Sequence, residues 1–142
     1  MVMKALFLTT KTSDCINHLR AWESVFGPAV HVRFNHEGIR NDHLLIEAAR
    51  TAKPDVIFYI GANKGSGNPR PETHQELRKI APCINLCSDA ADRPWHHVLE
   101  GYARHNCFDL QVAIDGAAEA PVDFTTLTPV DLRPFQIGEK KD

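Results

Sequence analysis

Five consecutive large apolar residues, Val56 to Ile60 in "DVIFYIGAN", constrain this chain more than any other feature. A strand with no polar alternation has two faces to bury. It belongs in the middle of a parallel sheet, with helices covering both sides. The rest of the chain must supply those helices and the flanking strands.

The neighbouring segments fit that demand. "VMKALFLTT" (2–10) is a first buried strand, and "SDCINHLRAWESVFG" follows as a helix. Its Ile16, Leu19, Trp22, Val25 and Phe26 form one apolar stripe, ended by Gly27-Pro28. "AVHVRFNH" alternates, with Val30, Val32 and Phe34 on one face, and reads as a second strand near an edge. Asn41 or Asp42 caps a helix that closes near Lys53-Pro54. After the central strand, "KGSGNPRP" is a loop and Pro71 opens a third helix. "CINLCSD" is a fourth strand, "RPWHHVLEGYARHN" a fourth helix and "FDLQVAIDG" a fifth strand. A short extended segment is expected within 122–127, and 136–142 reads as a solvated tail or linker. The order β-α-β-α-β-α-β-α-β predicts an α/β, three-layer Rossmann-like domain over 1–135. Its sheet is mainly parallel, five- or six-stranded, with helices on both faces.

At 142 residues the chain is the size of one domain. Its net charge of −2 argues against a partner bound through nucleic-acid phosphates. No apolar run approaches the ~20 residues of a membrane helix, and the start is not a signal peptide, so a cytoplasmic location with reduced thiols is expected.

Ligands of such folds bind beyond the carboxyl ends of the strands. The richest run there is "CINLCSDAADRPWHH", Cys83–His97. Its cysteines have no second pair to complete a zinc site, so no metal is expected, and both read as buried packing residues. Ser88, Asp89, Asp92 and Arg93 fall where the strand leaves the sheet and are candidates for a binding rim, with Asp92 placed to cap the next helix. Trp95 should pack inward. Asn63, Asn68 and Arg70 sit in a glycine-containing loop that matches neither the P-loop nor the dinucleotide fingerprint. Thr10 and Lys11 belong to a hydroxyl-rich loop. Flavodoxins hold the flavin phosphate in a comparable loop, but the usual glycine is missing here. A receiver domain needs acidic residues after its first strand and an aspartate ending its third; the chain has Thr9-Thr10 and Gly61-Ala62. His18, His31, His36, His43, His74 and His105 show no ligand spacing and read as surface residues.

"IEAARTAKPDVIFYIGA", "NPRPETHQELRK", "CINLCSDAADRPW", "YARHNCFDLQVAIDG" and "TLTPVDLRPF" occur in this order. The series resembles the N-terminal, acceptor-side half of GT-B glycosyltransferases of the spore-maturation-type, family-4-like bacterial group, over roughly residues 3–135. The resemblance implies half of a metal- and cofactor-free enzyme. It would meet a sugar acceptor of unknown type, with the nucleotide-sugar donor held by a missing C-terminal domain. Asp89 would be the nearest fit for a catalytic base. Thr10, Lys11, Asn63, Asn68, Arg70, Ser88, Asp92 and Arg93 would line the substrate side. The other reading is a non-catalytic, flavodoxin-like module that binds a small ligand or a partner.

Overall fold

The computed structural model describes residues 2–10, 15–36, 39–61 and 67–129, with Asn35 and His36 described by their backbone alone. In chain order the elements are β1 (Ala5–Thr9), α1 (Ile16–Phe26), β2 (Val30–Arg33), β3 (Asn35–His36), β4 (Ile39–Arg40), α2 (Asp42–Ala52), β5 (Val56–Ile60), α3 (Pro71–Arg78), β6 (Cys83–Cys87), α4 (Arg93–Arg104), β7 (Leu110–Ala113) and β8 (Phe124–Thr125). Six of the strands form one sheet in the order β2-β1-β5-β6-β7-β8, and every pairing in it is parallel. The apolar run 56–60 is β5, inside the sheet as its composition demands.

Strand alternation divides the core. Leu6, Leu8, Ile57, Tyr59 and Cys83 pack with Leu45 and Ala49 of α2 and Leu77 of α3. Ala5, Phe7, Val56, Ile60, Leu86, Val112 and Ile114 point to the other face, where Leu19 of α1 meets them. Leu99 of α4 packs with Cys87 and Ala113, and the Leu99 carbonyl accepts the buried Gln111 amide at 2.9 Å. That puts α4 on the side of α2 and α3. Helices therefore lie on both faces, but unevenly: among the described residues, α1 is the only helix on its side.

One strand differs from the sequence expectation. "AVHVRFNH" does not run on as a single strand. Phe34 turns under the sheet edge, fully buried, with its ring 5.1 Å from that of Tyr59. The chain then folds back as the small antiparallel pair β3–β4. Burial of a large aromatic ring outweighs continuation of an edge strand whose Val30 is left exposed.

The start of α3 is held from outside. Arg70 is its N-cap residue and supplies no side-chain bond. Instead, Asp42 Oδ2 at the start of α2 accepts the Arg70 N–H at 3.1 Å and the Thr73 hydroxyl at 2.7 Å. A carboxylate at a helix N-terminus also complements the helix dipole. Asp42→Ala should therefore lower stability by about 1–3 kcal/mol, the cost of a charged cap and two stranded donors. Urea melts at pH 7 would check this, and an unchanged midpoint would show that α3 does not depend on that carboxylate.

Candidate functional site

The carboxyl ends of β5 and β6 open on a cleft lined by Tyr59, Gly61, Asn85, Cys87, Ser88, Trp95, Leu99 and Tyr102. It is nearly closed, with about 10 Å³ of space for water-sized contents, room for a single water. The Tyr59 and Tyr102 hydroxyls lie 3.4 Å apart across it, and Asn85 Nδ2 donates to Gln111 Oε1 at 3.0 Å. Burial raises both phenol pKa values, so both stay protonated. Gly61 is required here for space: a Cβ at this position would overlap the Tyr59 ring.

The predicted rim residues separate. Ser88 lines the cleft and is exposed. Asp89, Asp92 and Arg93 are exposed around the turn into α4, where the Asp89 carbonyl accepts the Asp92 N–H at 3.1 Å. Asp92 occupies the N-cap position, but its side chain makes no capping bond. Thr10 lies on the β1–β2 side, where its carbonyl accepts the Arg33 Nε–H at 2.8 Å. The Asn68 carbonyl accepts the Arg40 Nε–H at 2.7 Å. Arg70 is exposed at the start of α3. Lys11 and Asn63 lie outside the described residues. Trp95 packs inward, as its place on α4 requires.

The cysteines are structural. All four are free and buried. Burial pushes the Cys83 thiol up to about 12 and those of Cys87 and Cys107 up to about 11, far from the thiolate form a nucleophile needs. Among the described residues, no group of three or more His, Cys, Asp or Glu side chains is placed to hold a metal ion. None of the described helices is long and apolar enough to cross a membrane.

Two histidines correct the surface reading. His74 is 1% exposed, its ring 4.8 Å from Tyr59 and 4.7 Å from Phe108, and its Nε2 has no hydrogen-bond partner. Burial lowers its pKa to about 4, against a smaller opposing effect of the Asp42 carboxylate. His18 is also buried, which lowers its pKa.

The roomier concavity is on the α1 face, where sequence reasoning placed only core. Phe7, His18, Ala21, Trp22, Phe26, Phe58, Leu86, Ile114, Thr126, Leu127 and Pro129 line a groove of about 330 Å³. Its floor is a run of ring contacts: Phe7 stacks on Phe58 at 4.9 Å, Trp22 meets Phe58 edge-on at 5.5 Å, and Phe26 lies 4.4 Å from Trp22. Trp22, Phe26 and Phe58 stay partly exposed, and Leu127 on the lip is 72% exposed. Trp22 is fixed by donating its Nε1–H to the Met3 carbonyl at 3.3 Å. The groove lies beside α1, over β1, β5, β6 and the residue that follows β7, and among the described residues no helix but α1 covers the sheet on this side. The signal in the sequence was the irregular stretch after Gly116, where a sheet of this order would gain from one more amphipathic helix.

No protein-family model and no curated protein sequence matches the chain. Solved structures similar to it include a CheY-like response regulator receiver domain from Methylobacillus flagellatus, at 12% identity and a TM-score of 0.48, covering 95% of this chain and 96% of that one. A second is the bacteriophytochrome response regulator RtBRR, at 16% identity and a TM-score of 0.48, covering 95% and 74%. Both are receiver proteins. The sheet itself carries the correction of the glycosyltransferase reading. Counting only its own strands, the order is 2-1-3-4-5, the flavodoxin-like arrangement, extended by a sixth strand. The dinucleotide-type order 3-2-1-4-5-6 would place another strand outside β2, and β2 is an edge. The GT-B reading is therefore corrected to a flavodoxin-like domain. The sugar acceptor, the donor and the base at Asp89 lose the resemblance they stood on.

Proposed function

We propose that this chain is a non-catalytic binding module, and that the aromatic groove beside α1 receives an apolar anchor from a protein partner. The groove is the observation that carries the reading. It has the volume of a ligand pocket, a rigid aromatic floor and an exposed aliphatic lip. Tryptophan, present here as Trp22, is among the side chains that dominate binding energy at protein interfaces. Among the described residues, the mouth of the sheet offers less. Its cleft has room for about one water, its Cys87 thiol is protonated, and Ser88 has no hydrogen-bonded base among the described residues to activate it. Receiver phosphorylation needs acids after the first strand and an aspartate ending the third. The chain has Thr9-Thr10 at the end of β1 and Ile60-Gly61 at the end of β5.

The test is selection from a displayed peptide library against the purified chain. Enriched peptides should carry spaced aromatic or aliphatic anchors. Their affinity should fall at least tenfold on Leu127→Glu, which introduces a charge at the lip. That variant should melt within about 0.5 kcal/mol of wild type, because the residue is exposed. Binding that survives Leu127→Glu and Trp22→Ala alike would place the interaction elsewhere and overturn the proposal.

A further inference from the structure

A third concavity lies on the α4 side of the sheet, at the amino ends of β7 and β8. Its volume is about 280 Å³, near the lower end for small-ligand pockets. Tyr102 and Phe108 supply aromatic walls, their rings edge-to-face at 5.2 Å, and Val122 adds aliphatic surface. Gln111 and Asp123 belong to the same lining. Strand register puts Gln111 in one row with Tyr59 and Asn85, on the face opposite the α1 groove. Asn85 and Gln111 are buried, and their amides bond each other and the Leu99 carbonyl. The row ends at Asp123, which is exposed. The two carboxylates of the pocket are not equivalent. Asp109 is neutralised: its Oδ1 accepts from Arg78 at 2.8 Å and its Oδ2 from the Cys83 N–H at 2.7 Å. Asp123 Oδ2 accepts the Gln111 N–H at 2.7 Å, but among the described residues its Oδ1 has no donor and the side chain no cationic partner. The pocket therefore holds one uncompensated negative charge beside two aromatic rings. A carboxylate bonds most strongly to a charged donor, and ring faces attract a cation while covering an apolar stem. An anion would be repelled here, and a neutral apolar molecule would leave the carboxylate unpaired.

We propose that this pocket binds a primary ammonium group carried on a short apolar stem, independently of the aromatic groove. The ammonium donates to Asp123 Oδ1, and the stem lies against Tyr102, Phe108 and Val122.

The experiment is a titration of the whole chain at pH 7 and low ionic strength, where charge pairing is least screened. It is read from the backbone amide signals of Ala103, Gln111 and Asp123. One arm uses 2-phenylethylammonium, and a second uses 2-phenylethanol, which has the same stem without the charge. A third uses Nα-acetyl-lysine methylamide. The first probe should shift all three signals saturably and bind at least tenfold tighter than the alcohol. Tighter binding of 2-phenylethylammonium than of the lysine derivative identifies a free amine as the source, and the reverse identifies a lysine side chain. Asp123→Asn keeps an oxygen to accept the Gln111 N–H and removes the charge. It should weaken the ammonium at least tenfold and leave the alcohol unchanged. Ala103→Phe, at an exposed position of α4 in the lining, should crowd the pocket and weaken all three probes. The proposal is overturned if neither ammonium probe binds saturably, if the alcohol binds as tightly as 2-phenylethylammonium, or if Asp123→Asn, folded by its melt, binds that ammonium as wild type does. Groove-directed peptides should bind Asp123→Asn normally, so failure here leaves the partner reading standing, and the reverse holds.

Discussion

Tyr59→Ala should melt far below wild type, with a loss of about 3–5 kcal/mol, as expected for deleting a large buried ring. Tyr59 is 1% exposed and at the centre of the α2–α3 side of the core. Its ring meets Phe34 at 5.1 Å, His74 at 4.8 Å, Phe108 at 5.3 Å and Tyr102 at 6.2 Å. Those neighbours come from the β2–β3 junction, α3, α4 and the approach to β7, so the ring joins most of one face. Gly61 is kept small by this same ring, and the structure can close around the void only by moving several elements. Denaturant unfolding of the variant would measure the effect. Tyr59→Phe separates the ring from its hydroxyl: it keeps the packing and loses the contact with Tyr102, and should cost about 1 kcal/mol. A Tyr59→Ala midpoint close to wild type would mean that this cluster is not the centre of the fold.

Acid should destabilise the protein through His74. In the unfolded chain this imidazole takes up a proton near pH 6.5; in the folded chain it does so only near 4. Between those values the unfolded state binds more protons, so stability falls as pH falls through the window. It is fully present above 6.5 and lost by about pH 4. A separation of that size is worth about 3 kcal/mol. His18, lowered by burial, acts in the same direction. The groups bearing on His74 are the Asp42 carboxylate, which opposes the shift, and the rings of Tyr59, Tyr102 and Phe108, which exclude water. His74→Phe keeps an aromatic ring and removes the unpartnered Nε2. Its pH slope should lack the loss of about 3 kcal/mol that His74 causes in wild type and keep only the part due to His18, and at pH 7 it should be no less stable than wild type. Melts at pH 7, 5.5 and 4.5 would decide; an unchanged pH slope in the variant would clear His74 of the role.

These two residues also mark what the sequence could reveal. Val56–Ile60 announced a central parallel strand because no other placement buries both of its faces. Pro71 and the Cys83–Cys87 alternation set the next helix and strand just as directly. The small pair β3–β4 was not legible, because only the assembled core shows that Phe34 has a cavity to fill beside Tyr59. His74 gave no signal either: in "PETHQELRK" it stands among charged residues, and its burial follows from Asp42 drawing the start of α3 onto α2. Strand order was the largest gap. Periodicity tells that a parallel strand follows a helix, but not on which side of the sheet it lands. The ordered segments behind the glycosyltransferase resemblance could therefore not tell 2-1-3-4-5 from 3-2-1-4-5-6. Trp22 and Phe26 were correctly placed on one stripe of α1. That stripe is wider than the sheet surface α1 covers, and the surplus forms the groove.

The most direct test of the partner reading is to map a selected anchor peptide onto the chain by methyl and indole chemical shifts. The account predicts shifts concentrated at Leu86, Ile114, Leu127 and the Trp22 indole N–H, with intermolecular contacts from the peptide's anchor side chain. Shifts gathered instead at Ser88 and Trp95, or on the opposite face at Leu44, would contradict it.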